Sequence, residues 1–254
     1  MMHLQFCDGV LLESVNMFNP NTPSYEAPNG DGVDIGSSRN VVLRDSVLDM
    51  SDDQVCVRAG QGHAGAIQSV GHGIGESRCG THSILIERSE VRNGHGISLG
   101  SDGVGGVRNI TFRHIFINGD GPQGSATGRT GFHGVAFGAV IFVKRDHGGN
   151  WQDLSWMNIT GVDVNTGISI HEDPSNLHGD PPWPQPLPLP LGKGDAPTDP
   201  PHFSNVLFQD FMLRNVTRSS SVNFAVLPRS LRNLTLRRIN LQPIGRDRPS
   251  LGTR

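Results

Sequence analysis

Aromatic residues are scarce in this 254-residue sequence: one Tyr, three Trp and eleven Phe make up 6% of it. A compact core built mainly from bulky rings is therefore excluded. Positive charge is not in excess either. Twenty-one Lys and Arg stand against 24 Asp and Glu, for a net charge of −3, so nothing marks the chain as a nucleic-acid binder. No apolar run approaches the roughly 18 residues that a membrane-spanning helix needs. Cysteine is limited to Cys7, Cys56 and Cys79. That odd count implies no complete disulfide framework, and small apolar filler is the simplest role, with one disulfide left open. The opening MMHLQFCDGVLL lacks a basic segment followed by a long apolar stretch, as a secretory leader would have. It already has a strand-like pattern, so an internal start is expected.

Glycine, at 33 residues, is abundant. Small residues with few aromatics suit a stacked, repetitive β architecture with tight turns. A recurring segment supports this: a short run of alternating apolar residues, usually entered by Asn or another small polar residue. Copies are NVVLRDSVLDM (40–50), SILIERSEVRN (83–93), NITFRHIFING (109–119), NVLFQDFMLRNV (205–216) and NLTLRRINLQ (233–242). Shorter strand-like runs lie between them, among them GVDIGSS (32–38), QVCVRAG (54–60), GISLGSD (96–102) and GISIHED (167–173). The period of two argues for strands, and glycine punctuates too often for helices. Two strand types alternating along the chain predict a solenoid: an all-β, parallel β-helix forming one domain over residues 1–254. A β-sandwich would need hairpin turns of the Asn-Gly kind between neighbouring runs, and these are scarce. Residues 174–201 contain ten prolines. They read as an extended loop, either inert or forming a cleft wall with Trp183. The sequons beginning at Asn109, Asn158, Asn215 and Asn233 permit glycosylation, but the repeated Asn-apolar-Thr strand entry generates them by itself.

Four short segments stand at comparable places, just before or within the short strands. They are Asn29-Gly30-Asp31-Gly32-Val33-Asp34, Ser51-Asp52-Asp53, Gly94-His95-Gly96 and Phe142-Val143-Lys144. Asp31, Asp52, Asp53, His95 and Lys144 recur at coil spacing and so can share one sheet face. Glycoside hydrolysis needs one carboxylic acid to protonate the leaving oxygen and one carboxylate to activate water or attack carbon. Clustered like charges raise at least one pKa, which holds a proton on the acid. Lys144 and Arg145 offer cations to a substrate carboxylate. One difficulty is local: adjacent Asp52 and Asp53 in an extended strand point to opposite faces. Either the strand bends there or one acid is structural.

These segments resemble the four signature motifs of glycoside hydrolase family 28, the polygalacturonases and their relatives: Asn-Thr-Asp, Gly-Asp-Asp, Gly-His-Gly and Arg-Ile-Lys. The context resembles the family too, in PNGDGVDIGSSRNVVLRDS, SDDQVCVRAG and GHGISLGSDGVGGVRNITF. The resemblance implies a right-handed parallel β-helix, its early N-terminal coils missing here, and an inverting hydrolase. Asp52 then matches the general acid. Asp31 and Asp53 match the acids that position and deprotonate water, and His95 the histidine that sets the protonation of the cluster. Lys144 matches the lysine that binds the uronate carboxylate, and Asn29 the supporting motif asparagine. Inversion places acid and base about 6.5–9.5 Å apart.

The sequence departs from the motifs at Gly30 (for Thr), Ser51 (for Gly) and Phe142, which stands where the family has a carboxylate-binding Arg. Arg145 sits in the next phase of the strand. A second Gly-His-Gly, at 71–73 in the insertion between Asp53 and Ser83, lacks the following strand context and reads as a loop. The expected protein is a secreted, monomeric, cofactor-independent and metal-independent enzyme with a pectin-type polysaccharide as its partner. The alternatives are a catalytically weak or inactive relative that binds carbohydrate and a different β-helix protein, such as a calcium-dependent pectate lyase or a phage-type adhesin.

Overall fold

The computed structural model describes residues 1–19, 30–59, 80–101, 103, 105–119, 137–144, 149–173, 202–216, 221–223 and 231–243. The second Gly-His-Gly, Cys79 and the proline-rich stretch 174–201 lie outside them.

Short strands build one sheet. These are β1 (Met2–Gln5), β4 (Val33–Gly36), β7 (Asp53–Arg58), β9 (Gly96–Ser101), β11 (Phe137–Lys144), β13 (Thr166–Asp173) and β15 (Ser221–Asn223), stacked in that order. The second sheet stacks β2 (Asp8–Glu13), β5 (Arg39–Arg44), β8 (Thr81–Arg92), β10 (Val107–Asn118), β12 (Asn150–Val162), β14 (His202–Val216) and β16 (Leu231–Pro243). Two short strands, β3 (Asn16–Asn19) and β6 (Val47–Met50), extend its lower coils. Every ladder among the described residues is parallel. The chain alternates between the two sheets and returns each time one strand further along. This is the right-handed parallel β-helix that the sequence implies, and the parallel pairing rules out a hairpin-linked sandwich. No helix of the described residues is long and apolar enough to cross a membrane.

The apolar phase of each strand points inward. Ile35, Val57, Leu99, Ile141 and Ile170 form one buried column in the short-strand sheet, and Leu43, Ile86, Phe112, Trp156 and Phe208 form one in the other. Identical phases stack on each other, so Trp156 lies between Phe112 and Phe208 at ring centroids of 5.3 and 4.8 Å. A few well-stacked rings therefore do the work that abundant aromatics do in a globular core.

The recurring segment is bent rather than straight. Ser14, Asp45, Arg88, His114, Asn158, Asp210 and Arg238 all take positive φ between 46° and 59°. The first two split their segments into β2/β3 and β5/β6, whereas the longer strands bend there without breaking. A second such column runs through Asn40, Ser83, Asn109, Asp153, Asn205 and Asn233. Asn and Asp tolerate this left-handed corner and also ladder along it. Asn205 donates to Asp153 at 2.8 Å and Asn233 to Asn205 at 3.0 Å. The Asn at these corners is thus a backbone requirement, which accounts for the sequons at Asn109, Asn158 and Asn233.

Candidate active site

Asp31, Asp52–Asp53 and His95 belong to three successive coils, just before or at the start of β4, β7 and β9. The strand does bend at the paired acids. Asp53 pairs with Gly96 and Val55 with Ile97, so Gln54 is an extra residue, a β-bulge. A bulge breaks the two-residue alternation and re-aims the side chains before it. Asp52 and Asp53 can therefore both meet His95: its Nδ1 is 2.8 Å from Asp52 Oδ1 and 3.8 Å from Asp53 Oδ1.

Gln54 holds the bulge in place. It is fully buried. Its Oε1 accepts from Met50 N at 3.0 Å, and its Nε2 reaches the carbonyl oxygens of Met50, Asp52 and Asn93 at 3.1, 3.3 and 3.0 Å. The last contact ties the bulge to the next coil. Gly94 has no room for a side chain: it sits at φ +59°, and a Cβ would fall 2.2 Å from Asp52 O. A Cβ on Gly32 would fall 2.4 Å from Gln54 O. Both motif glycines are therefore places where neighbouring coils touch backbone to backbone. His95 N donates to Asp52 O at 2.9 Å, fixing the histidine against the acid pair.

The acids differ electrostatically. Asp52 Oδ1 accepts from Asp53 N at 2.9 Å and faces His95 Nδ1. Asp53 accepts from Ser98 Oγ at 2.7 Å. Burial pushes its pKa up to about 6, against the lowering effects of His95 and Ser98. Asp31 is pushed further, to about 8, first by burial and then by the charges of Asp34, Asp52 and Asp53. The site thus spans acids that ionise at different pH, as a general acid and a general base require. Ligand atoms of Asp52, Asp53 and His95 also lie within 4.8 Å of one another, close enough to hold a cation, and the carboxylate oxygens of Asp52 and Asp53 are therefore closer than the spacing of about 6.5–9.5 Å expected for inversion.

The remaining expected site residues are less fully described. Lys144 ends β11, with its backbone in register with Asp173, and Phe142 is in register with Gly100 and His171. The side chains of both, and all of Asn29 and Arg145, lie outside the described residues. Sequence reasoning passed over Gln54, Ser98, Asp34 and Arg58. The available signal was a polar residue inside an apolar strand run, as in Val33-Asp34-Ile35 and Asp53-Gln54-Val55.

Residues 1–121 match the model of glycosyl hydrolases family 28. A probable polygalacturonase of Arabidopsis thaliana is 28% identical over 130 residues, 46% of this chain and 28% of the relative. A polygalacturonase of Ralstonia nicotianae is 31% identical over 107 residues, 42% of this chain and 16% of the relative. The solved polygalacturonase from Erwinia carotovora superposes with a TM-score of 0.66 at 19% identity, covering 95% of this chain and 50% of that one. The chain shares its fold and spans half of its length. The matched residues hold all four described site residues, and over them the chain is similar to glycosyl hydrolases family 28.

Proposed function

We propose that this chain is an inverting glycoside hydrolase that cleaves glycosidic bonds in a pectin-type, uronate-containing polysaccharide. The observation that carries the reading is the Gln54 bulge, which turns two adjacent acids toward one histidine. A structural aspartate pair has no need of such a device. The similar proteins from Arabidopsis thaliana and Ralstonia nicotianae are named as polygalacturonases, which supports the same chemistry.

In this reading Asp52 protonates the leaving oxygen as the glycosidic C–O bond breaks, and His95 returns a proton to it. Water attacks the anomeric carbon from the opposite face. Asp53 takes the water's proton, and Asp31 orients the water. Lys144 and Arg145 bind a uronate carboxylate, and Asn29 supports the Asp31 segment. No cofactor or metal takes part, so turnover survives chelation. The protein acts outside the cell as a monomer.

The test is reducing-end release from polygalacturonate and from rhamnogalacturonan oligomers. Asp52→Asn should lower the rate by roughly 10²–10⁴, and proton NMR of the first product should show the inverted anomer. A folded chain that releases no reducing ends from either substrate refutes the reading. Phe142 in the place of the motif Arg favours one alternative, a carbohydrate binder without turnover, in which Asp52→Asn leaves oligouronate affinity unchanged.

A further inference from the structure

A second polar site lies on the short-strand sheet, apart from Asp31, Asp52, Asp53 and His95. It is a shallow pocket lined by His3 and Gln5 on β1, by Asp34 and Gly36 on β4 and by Arg58 at the end of β7.

The pocket is built around the Arg58 guanidinium. Arg58 Nη2 donates to Asp34 Oδ2 at 2.7 Å, and His3 Nε2 lies 3.3 Å from the same oxygen. Asp34 is 3% exposed and its other oxygen is buried, whereas the Arg58 side chain is 19% exposed. The open part of this pair is therefore the cation. A guanidinium carries five N–H donors in a fixed fork. Among the described residues the Arg58 side chain makes no hydrogen bond except the one to Asp34. Largely buried donors without a partner are costly, and a planar carboxylate is the acceptor that the fork matches best.

The register keeps Arg58 uncovered. Gly36 pairs with Arg58 on one side. On the other, Val57 pairs with Leu99, so the next residue, Gly100, stands beside Arg58 and in turn pairs with Phe142. Arg58 is thus flanked along its column by two residues without side chains. Two strand spacings, about 10 Å, separate it from the Phe142 position, which carries no donor of its own.

We propose that this pocket is a uronate subsite in which Arg58, held in place by Asp34, binds the carboxylate of a sugar on the β1 side of the acid cluster, away from Lys144 on β11. The ligand class rests on the glycosidase reading; the geometry of the pocket does not. An oligomer engaging Arg58 and Lys144 together lies along the stack β1-β4-β7-β9-β11 and crosses the acids between them.

The test is calorimetric binding of tetragalacturonate and of its methyl ester to the full chain carrying Asp52→Asn, which suppresses turnover. Arg58→Gln, Arg58→Lys and Gly36→Met are added singly to that background. A Cβ on Gly36 would meet Arg58 Cγ at 3.9 Å and Leu4 O at 4.0 Å, both ordinary contacts, so Gly36→Met fills the pocket and leaves the Arg58–Asp34 bond intact. Arg58→Gln should weaken the acid by roughly 10–100-fold and leave the ester within about twofold. Arg58→Lys should fall between, because an ammonium keeps the charge without the fork. Gly36→Met should weaken the acid by about tenfold or more at an unchanged unfolding midpoint. If Arg58→Gln fails to fold because it leaves Asp34 unpaired, the double variant Arg58→Gln/Asp34→Asn, whose pair is neutral, takes its place. Acid affinity within about twofold of the background in both the Arg58 variant and Gly36→Met overturns the proposal. So does an equal loss for acid and ester in the Arg58 variant, which is what a merely structural role predicts. The binding arms need no turnover. The expected pattern in a chain whose Asp52 form releases no reducing ends counts against the glycosidase reading alone, and hydrolysis with affinities that neither variant moves counts against the pocket alone.

Discussion

Replacing Gln54 with leucine removes a side chain of similar size from a fully buried position together with its amide. Met50 N loses its acceptor, Met50 O and Asn93 O lose a donor, and Asp52 O keeps the His95 N–H. A buried N–H without a partner costs about 1–3 kcal/mol, and each under-satisfied carbonyl about 1 kcal/mol or less. The sum is about 2–5 kcal/mol. With an unfolding entropy of about 2.1 cal/mol/K per residue, 254 residues give about 0.5 kcal/mol per degree, so the midpoint should fall by about 4–10 °C. The catalytic effect should be larger than the structural one. Without the amide the bulge relaxes, the two acids return toward opposite faces, and the rate falls by about 10² or more. Denaturant unfolding and reducing-end assays on the purified variant measure both. A Gln54→Leu protein within about 0.5 kcal/mol of wild type that retains its activity would refute the claim that this side chain builds the site.

Three further outcomes follow from the same geometry. Asp53 must be ionised to accept a proton, so activity should fall as pH drops through about 6; Ser98→Ala, which removes a bond to the ionised form, should shift that limb upward in a pH–rate profile. Asp31 has a raised folded-state pKa, so its contribution to stability is fully present below its ordinary value of 3.8 and is lost as pH rises through about 8. Asp31→Asn should therefore gain stability relative to wild type at pH 8 but not at pH 4, as read by denaturant unfolding. Gly94→Ala forces a Cβ into the Asp52 carbonyl at positive φ and should lower stability by about 2–4 kcal/mol; an unchanged unfolding midpoint would show that the coils have slack there.

The fold was legible because its determinants are local and repeated. Apolar residues in a two-residue phase, small polar residues at each strand entry and frequent glycine all reflect one coil geometry, and the register spacings follow the repeat. His82 pairs with Arg108 in the next coil and Gln152 with Ser204. The bends inside the long strands were not legible. Arg88 and His114 take the same corner conformation as Asp45 and Asn158, and nothing in those residue types announces it. The site was legible as a set of residues and illegible as a geometry. Asp31, Asp52, Asp53 and His95 stand out by type and spacing, but the alternation rule alone sets Asp52 and Asp53 on opposite faces. The element that resolves this is Gln54, whose role depends on Asn93, 39 residues away. The Asp34–Arg58 pair spans 24 residues and two strands, so neither partner signals the other in sequence.

The proton inventory also bears on how a polyanionic substrate could approach this site. Asp31, Asp34, Asp52 and Asp53 would together place four negative charges beside a uronate. Arg58 balances Asp34, His95 faces Asp52, and Asp31 keeps its proton up to about 8. On the proposed mechanism the ionised Asp53 is then the main uncompensated charge, and that mechanism needs it. Ionising Asp31 would add a second. Two unit charges about 7 Å apart repel by about 0.6 kcal/mol at the dielectric constant of water and about 2.4 kcal/mol at an effective value of 20. That range weakens binding by a factor of about 3 to 60. KM for oligouronates should therefore climb as pH passes 8 while KM for a neutral methyl-esterified oligomer stays flat. If the two rise together, the charge on Asp31 is not what the substrate senses.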